Sequence, residues 1–262
     1  MSGLEALLLG VVQGLTEFLP VSSSGHLVIL QALLGAEQEG MLFEIAVHAA
    51  TLVSVLIVYR RRVAALVWGV LERRPEELGY AGKLALATLP AVAAVLVMGE
   101  FLEAQFEAPA VAGWGLLATG AILWTTRRTL PRAAAPEPSW SAAFWIGCAQ
   151  AVAILPGVSR SGSTLAAALA CGVAPLAAAE FSFLMGVIAI SGAAVRALPE
   201  VGAVAPGGAS ALAVGGAAAL VSGVVAILLF VRLLRSRAFH RFAYYTWLAG
   251  GAFLLWLALG HG

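Results

Sequence analysis

Long apolar segments dominate the chain, and six of them are long enough to cross a lipid bilayer. A membrane-spanning helix needs about 20 consecutive, mostly apolar residues. The segments that reach this length are 40–60, 81–101, 109–127, 176–197, 210–232 and 241–260. The pattern therefore predicts an all-α integral membrane protein with six transmembrane helices.

Two further apolar stretches are interrupted by polar residues. Residues 3–34 are broken by Pro20 and a run of serines, and residues 140–172 by Pro156, Gly157 and a second serine-rich run. Each half of these stretches is too short to cross the membrane. Each stretch therefore predicts a re-entrant helix hairpin, which enters and leaves by the same face. The alternative is a pair of kinked full spans.

The two broken stretches are similar to one another. When the sequence is slid along itself until Gly10 meets Gly147, the matches fall on polar and glycine positions. The further matching pairs include Gln13 and Gln150, Ser22 and Ser159, Ser24 and Ser161, and Gly25 and Gly162. Three predicted spans follow each hairpin, and an odd number of crossings inverts the second copy. We therefore predict two inverted-topology repeats, 1–130 and 131–262, within one membrane domain.

The charges of the loops predict an orientation. The arginine-rich loops contain Arg60, Arg61, Arg62, Arg73 and Arg74, then Arg127, Arg128 and Arg132, then Arg232, Arg235, Arg237 and Arg241. The opposite loops contain Glu103 and Glu107, or Arg196 and Glu200. Because basic loops remain in the cytoplasm, both termini are predicted to be extracytoplasmic. The first hairpin then enters from outside and the second from the cytoplasm, so their tips should meet near the middle of the bilayer.

Composition agrees with a membrane protein. The chain is 61% hydrophobic and 11% charged, with a mean hydropathy of +0.95, whereas soluble domains carry about 25% charged residues. The net charge of +1 argues against nucleic-acid binding, because no basic face is available for a phosphate backbone. The N-terminus lacks the basic region of a signal peptide and is expected to be retained. Cys148 and Cys171 are predicted to be small buried side chains.

The serine-rich runs have the chemistry of an anion site. At a hairpin tip, the second half-helix begins with backbone N–H groups that lack intrahelical partners. Such a helix start attracts phosphate, and glycine lets the backbone approach a ligand closely. The candidate phosphate-binding residues are Ser22, Ser24 and Gly25 in the first hairpin and Ser159, Arg160, Ser161 and Gly162 in the second. The alternative is that the serines only cap buried helix ends.

Arg160 favours the phosphate interpretation. A guanidinium deep in a membrane is energetically costly and is rarely found without a partner. Its planar fork suits bidentate binding of phosphate oxygens. The alternative is an internal salt bridge to Glu17 or Glu44, which does not exclude phosphate binding. Ser23 is aligned with Arg160 in the repeat, so these two residues are candidates to contact the same phosphate.

Gln13, Glu17 and His26 add candidate catalytic groups to the first hairpin. Gln13 and Glu17 are four residues apart and share one helix face. Glu17 is a candidate ligand of a divalent cation or a partner that orients His26, and Gln13 a candidate to hold a metal-bound water. Mg²⁺ or Ca²⁺ is expected, since both prefer oxygen ligands. His26 is a candidate general acid, general base or nucleophile.

Four further polar residues are expected to support this site. Glu44 and His48 form a second acidic–histidine pair with a spacing of four residues. In the second repeat, Glu180 corresponds to Glu44 if one residue is gapped, and Gln150 corresponds to Gln13. We expect these residues to orient the catalytic groups or to line the opening of the site. A purely structural role is an equally open alternative.

The motifs resemble those of the undecaprenyl-diphosphate phosphatases, the bacitracin-resistance family of bacterial membranes. The resemblance covers essentially the whole chain and is most specific in "GLTEFLPVSSSGHL" and "PGVSRSGSTL". The segments "LFEIAVHAATL" and "AAAEFSFLMG" also look like family segments. The family commonly has a proline shortly after the FSFL element, where this chain reads "MGVIAISGA". This departure affects the expected kink of the fourth span and leaves the site motifs intact.

The resemblance implies that the protein hydrolyses undecaprenyl diphosphate, with a divalent cation, in the bacterial cytoplasmic membrane. The catalytic and phosphate-binding residues would then be Gln13, Glu17, Ser23, His26 and Arg160. Ser23, His26 and water remain alternative nucleophiles, and the family resemblance also implies a homodimer. The main rival function is a flippase or transporter of a phosphorylated polyprenyl lipid or anion, because inverted repeats with broken helices are typical of transporters. A structural membrane subunit would leave the polar tips unexplained.

Overall fold

The computed structural model describes residues 1–34, 41–197, 208–235 and 238–261, and within these ranges the protein is helical. The described part contains no β-strand beyond an isolated bridge between Ala135 and Val173. The helices are α1 (Gly3–Phe18), α2 (Ser23–Leu34), α3 (Met41–Val58), α4 (Arg60–Leu71), α5 (Pro75–Phe106), α6 (Pro109–Thr129), α7 (Trp140–Val152), α8 (Arg160–Ala170), α9 (Pro175–Ala197), α10 (Gly208–Arg235) and α11 (Phe242–Trp256). The prediction of an all-α protein is therefore confirmed.

Several of these helices have the length and apolarity needed to cross a membrane. Among the described residues they are Pro75–Phe106, Pro175–Val195, Gly208–Arg235 and Phe239–Gly260, and the bent pair Leu42–Val58 and Arg60–Leu71 would be a fifth span. The predicted span 109–127 is helical as α6 but does not belong to this set. The protein is therefore a multi-pass membrane protein.

Helix α4 was not predicted, because its arginines were interpreted as part of a loop. It turns away from α3 by 82°. Arg62 fastens α4 to the rest of the molecule through Glu77, whose two carboxylate oxygens lie 2.8 Å from Nη1, and through Glu180, 2.9 Å from Nε. The guanidinium also lies over the ring of Tyr80, 4.5 Å from its centroid. These contacts join α4, α5 and α9.

The first hairpin consists of α1 and α2. Helix α1 begins with a capping box, in which the Ser2 hydroxyl accepts from the Glu5 N–H and the Glu5 carboxylate accepts from the Ser2 N–H. The helix ends before Pro20, because the residue preceding a proline disfavours the helical conformation. Leu19 is accordingly extended, with ψ of 146°.

The second hairpin consists of α7 and α8. Ser139 caps the start of α7 by accepting from the Ala142 N–H at 3.1 Å, and α8 leads out to Cys171. The prediction that both cysteines are buried was wrong for Cys171, which is exposed, while Cys148 is partly buried. Both are free thiols. Cys171 is exposed because it follows the last turn of α8, where the hairpin leaves the packed interior.

The hairpins are surrounded by the long helices. Helix α1 packs mainly on α10 and α7 mainly on α5, whereas α2 and α8 both contact α6. The largest buried cluster includes Leu165 of α8, Phe181 of α9 and Ile227 of α10. Since lipid is as apolar as these side chains, helix association here depends on close packing more than on burial from water. The packing holds the two hairpin tips against each other.

Candidate active site at the hairpin tips

The tips of the two hairpins are in direct contact. The Gly157 N–H donates to the Ser24 hydroxyl at 3.4 Å, and the Ser161 hydroxyl donates to the Leu19 carbonyl at 3.2 Å. Gly25 also lies against Gly157, since a Cβ atom at position 25 would be 3.0 Å from the Gly157 Cα. These contacts confirm the prediction that the tips meet.

Thr119 of α6 fixes the turn of the second hairpin. Its hydroxyl donates to the Gly157 carbonyl at 2.8 Å and accepts from the Ser159 N–H at 2.9 Å. Gly157 has φ of +85°, a conformation that favours glycine. The two hydrogen bonds of Thr119 orient the start of α8, where Arg160 is the first residue. Sequence reasoning missed Thr119, because it lies in a predicted span without a motif.

The two serine runs form matching caps. Ser22 accepts from the Gly25 N–H at 3.4 Å and lies 3.3 Å from the Ser24 hydroxyl. In the second hairpin, Ser159 accepts from the Gly162 N–H at 3.1 Å and lies 3.3 Å from the Ser161 hydroxyl. The capping role is therefore confirmed for the first serine of each run. Each cap leaves the first N–H groups of its helix at the tip, as an anion site requires.

Glu17 lies at the centre of the site and bonds to three of its residues. It is buried, with 6% of its surface exposed. The Ser23 hydroxyl donates to its Oε2 at 2.6 Å, and the Gln13 amide donates to the same oxygen at 3.0 Å. Arg160 of the other hairpin pairs with Oε1. The internal salt bridge between Arg160 and Glu17, which was the alternative to phosphate binding, is therefore present, and four of the predicted site residues lie together.

His48, and not His26, is the histidine beside Glu17. Its Nε2 lies 3.9 Å from Glu17 Oε2, and its Nδ1 bonds to the Glu44 carbonyl at 2.8 Å. The expectation that Glu17 orients His26 was wrong. His26 contacts the Ser22 carbonyl through Nδ1 at 2.8 Å and the Tyr245 hydroxyl through Nε2 at 2.7 Å. Both nitrogens of the His26 ring are taken up by the Ser22 carbonyl and by Tyr245 of α11, so neither bonds to Glu17.

Two residues that were expected to support the site have other surroundings. Glu180 bonds to Arg62 and, at 3.4 Å, to the Tyr80 hydroxyl, so it stabilises the junction of α4, α5 and α9. These contacts agree with the structural role that was the alternative for Glu180, because they tie it to Arg62 and Tyr80. Gln150 is buried, and its amide has no hydrogen-bond partner within the described residues.

A narrow crevice adjoins the Glu17–Arg160 pair. Its polar end is formed by Glu17, Arg160, Ser161 and Ser182. Its remaining walls are apolar or small and come from α1, α3 and α9: Phe18, Val55, Phe183, Gly186 and Ile190. The charged pair therefore adjoins an apolar passage between α3 and α9.

Comparison with known proteins agrees with this combination of motifs and geometry. Residues 6–252 match the model of a family described as bacitracin resistance protein BacA. The chain belongs to the BacA family. It is similar to proteins named undecaprenyl-diphosphatase from Alcanivorax borkumensis (38% identical, 98% of this chain, 100% of the relative), Carboxydothermus hydrogenoformans (39%, 99% and 99%) and Desulforapulum autotrophicum (35%, 94% and 95%).

The oxygen atoms of this BacA-family site suit a shared divalent cation. Gln13 is fully buried, and its Oε1 has no hydrogen-bond partner in the described part of the chain. That oxygen belongs to the amide that is bonded to Glu17. The described residues contain no group of three or more His, Cys, Asp or Glu side chains that could hold a metal. The donors fit Mg²⁺ or Ca²⁺ held jointly with substrate phosphates, and they do not form a closed protein cage.

Gly186 leaves room for the Arg160 side chain, and its substitution tests how much the site depends on the placement of that side chain. A Cβ atom at position 186 would collide with Nη1 of Arg160. We expect Gly186→Ala to reduce activity by about tenfold or more, because a shift of about 1 Å at a reacting centre costs up to about 100-fold. Thermal stability should change little, since the displaced group is the end of a flexible side chain.

Phosphate release and melting temperature should be measured for Gly186→Ala in parallel with Gly192→Ala. Gly192 lies further along α9, and a Cβ atom there meets nothing within 4 Å. Equal activities of the two variants would show that crowding of Arg160 is unimportant.

Proposed function

We propose that this chain hydrolyses undecaprenyl diphosphate to undecaprenyl phosphate and inorganic phosphate, thereby recycling the lipid carrier of cell-wall synthesis. The observation that carries the proposal is the Glu17–Arg160 pair at the contact of the two hairpin tips. The Glu17 carboxylate, the Ser23 hydroxyl and the Arg160 guanidinium lie together, beside the N-termini of α2 and α8. The relatives named above are undecaprenyl-diphosphatases, so the transporter alternative is not favoured.

Arg160 and the two helix starts are proposed to bind the diphosphate. Without substrate, Glu17 neutralises the guanidinium. A diphosphate carries several negative charges and therefore competes for the same donors. The N–H groups at the starts of α2 and α8 supply further positive potential. As the anhydride bond breaks, these fixed donors stabilise the charge that develops on the phosphate oxygens.

Ser23 is the proposed nucleophile and Glu17 its base. The Ser23 hydroxyl already donates to Glu17 at 2.6 Å, so its proton passes to the carboxylate as Oγ attacks the terminal phosphorus. The P–O bond to undecaprenyl phosphate then breaks and leaves a phosphoserine. His26 lies one helical turn after Ser23 on the same face of α2. Its Nε2 is proposed to accept a proton from the water that attacks the phosphoserine. As the bond between phosphorus and Ser23 Oγ breaks, Glu17 returns its proton to Oγ and inorganic phosphate is released.

A divalent cation bound by Glu17, Gln13 and the substrate phosphates would supply Lewis-acid stabilisation of the phosphate charge. Gln13 anchors the Glu17 carboxylate through its amide N–H, and its Oε1 has no hydrogen-bond partner among the described residues and is therefore available as a ligand. His48 approaches Glu17 from α3 and helps to keep the carboxylate at the tip.

The polyprenyl tail is proposed to remain in the lipid while the diphosphate enters the site. The apolar crevice between α3 and α9 ends at Glu17 and Arg160, which supports this route. The crevice has a volume of only about 10 Å³, so α3 and α9 are proposed to separate around Phe183 and Ile190 when the tail lies between them. Membrane lipids would fill the outer part of the crevice in the absence of substrate.

We further propose that the fold consists of two inverted repeats, 1–130 and 131–262, with re-entrant hairpins and extracytoplasmic termini. The matching serine caps support this arrangement. So does the packing of two matched glycines: Gly10 lies against the backbone of Gly215 in α10, and Gly147 against that of Ala87 in α5. Each hairpin thus approaches a long helix of the other half. A homodimer in the bacterial cytoplasmic membrane completes the proposed assembly.

Purified protein in detergent should release inorganic phosphate from a polyprenyl diphosphate. EDTA should abolish this release, and Mg²⁺ or Ca²⁺ should restore it, because the oxygen donors described above need a hard cation to help neutralise the substrate. Phosphate release is measured with and without chelator. Transbilayer movement of the lipid in liposomes without any phosphate release would contradict the proposal and favour the transporter.

A further inference from the structure

His26 is held from two sides by groups that sequence reasoning did not connect with it. Its Nδ1 lies 2.8 Å from the Ser22 carbonyl oxygen. Its Nε2 lies 2.7 Å from the hydroxyl of Tyr245, which belongs to α11 near the other end of the chain. The two rings are also stacked, with 5.6 Å between centroids and 7° between planes.

These contacts determine which nitrogen carries the proton. A carbonyl oxygen only accepts hydrogen bonds, so Nδ1 of His26 donates to Ser22. In the neutral imidazole, Nε2 then has the lone pair and accepts from the Tyr245 hydroxyl. The lone pair therefore lies on the nitrogen that is not tied to the backbone, which is the arrangement needed for a general base.

We propose that Tyr245 is a positioning residue for His26. Its ring fixes the plane of the imidazole and its hydroxyl orients the Nε2 lone pair, while the Ser22 carbonyl keeps the proton on Nδ1. This inference rests on the proposed function, because it assigns His26 the role of base in hydrolysis. When the attacking water arrives, it takes the place of the Tyr245 hydroxyl at Nε2, and the stacked ring continues to fix the plane of the imidazole.

Tyr245 also connects the two halves of the molecule at this point. Arg160 reaches the first hairpin from α8, and Tyr245 reaches it from α11. The catalytic groups of the first hairpin therefore depend on two separate elements of the second half. Tyr245 is only partly packed, with an exposed fraction of 48%, so its ring covers one face of the His26 imidazole without enclosing it.

Two substitutions separate the contribution of the Tyr245 hydroxyl from that of its ring. Tyr245→Phe keeps the stacking and removes the hydrogen bond, and we expect kcat to fall by about tenfold, the value of one hydrogen bond. Tyr245→Leu removes both, and we expect a fall of about 100-fold. KM should remain within about twofold for Tyr245→Phe, because the proposed phosphate donors are elsewhere. The matched control is Tyr244→Phe, whose ring packs on Trp124 and Trp247 and whose kcat should equal that of the wild type.

The tautomer is measured independently of activity by ¹⁵N NMR of histidine-labelled protein. The chain has four histidines, and His26→Gln identifies the signals of His26. We expect an Nδ1-protonated ring in all three proteins, because the Ser22 carbonyl still accepts from Nδ1, and a shifted Nε2 signal only in Tyr245→Phe, which lacks the hydrogen bond from the Tyr245 hydroxyl. Unchanged kcat and spectra in Tyr245→Phe would overturn the inference, as would a higher kcat, which would mean that the hydroxyl blocks Nε2. Absence of phosphate release from the wild type would instead refute the proposed function, while the spectra would still test the Tyr245 contact.

Discussion

Replacement of Arg160 by glutamine should lower kcat/KM by about 10³-fold or more. Losses of this size occur when a positioned cation or oxyanion donor is removed from a phosphoryl- or acyl-transfer site. Glutamine cannot provide the positive charge or the bidentate fork that the diphosphate requires. The loss should appear in phosphate release from a polyprenyl diphosphate. Arg128→Gln is the matched control, because Arg128 is exposed at the end of α6.

The same substitution should destabilise the protein. Only 4% of the Glu17 side chain is accessible, so loss of Arg160 leaves a buried carboxylate without its counter-ion, which costs about 3–5 kcal/mol. The double variant Glu17→Gln/Arg160→Gln should regain thermal stability but not activity. Full activity of Arg160→Gln in a folded protein would show that the guanidinium is not part of the site.

Replacement of Glu17 by glutamine should lower kcat by about 10³-fold, because general-base catalysis contributes about 10²- to 10⁴-fold. The amide cannot accept the proton of Ser23, and it is a weaker ligand for Mg²⁺ or Ca²⁺. The concentration of Mg²⁺ that gives half-maximal activity should therefore rise. Both quantities follow from phosphate release measured across a Mg²⁺ titration.

Glu17→Gln should destabilise the protein less than Arg160→Gln. The Arg160 side chain is 23% accessible and can move toward solvent when its partner is removed, whereas the Glu17 carboxylate cannot. Glu107→Gln is the control, because this carboxylate is exposed just after α5. Wild-type kcat and wild-type Mg²⁺ dependence in Glu17→Gln would exclude Glu17 as base and ligand.

The sequence predicts those parts of the site in which neighbouring residues allow few local conformations or pairings. Pro20 and Gly157 interrupt two apolar stretches, so the hairpins can be located without tertiary information. A carboxylate and a guanidinium within apolar segments each need a partner, and the pairing of Glu17 with Arg160 satisfies both. The capping serines are equally local, since Ser22 and Ser159 bond to residues three positions later.

The rest of the site depends on helix rotation and on contacts between distant segments. Tyr245 and His26 are separated by 219 positions, and which face of α2 meets α11 is decided by packing that no periodicity shows. For the same reason, His48 lies beside Glu17 where His26 was expected. Gly186 contributes by the absence of a side chain, and Thr119 by one hydroxyl inside an otherwise ordinary helix. Such contributions have no motif.

The most direct measurement is an experimental structure of the protein with bound vanadate, a mimic of the phosphoryl group in transfer. If the two hairpins form a single site, the vanadate will contact the Arg160 guanidinium of the second hairpin and the Ser23 hydroxyl of the first, beside the Glu17 carboxylate. Vanadate bound elsewhere, with Glu17 and Arg160 too far apart to reach one anion, would contradict this arrangement.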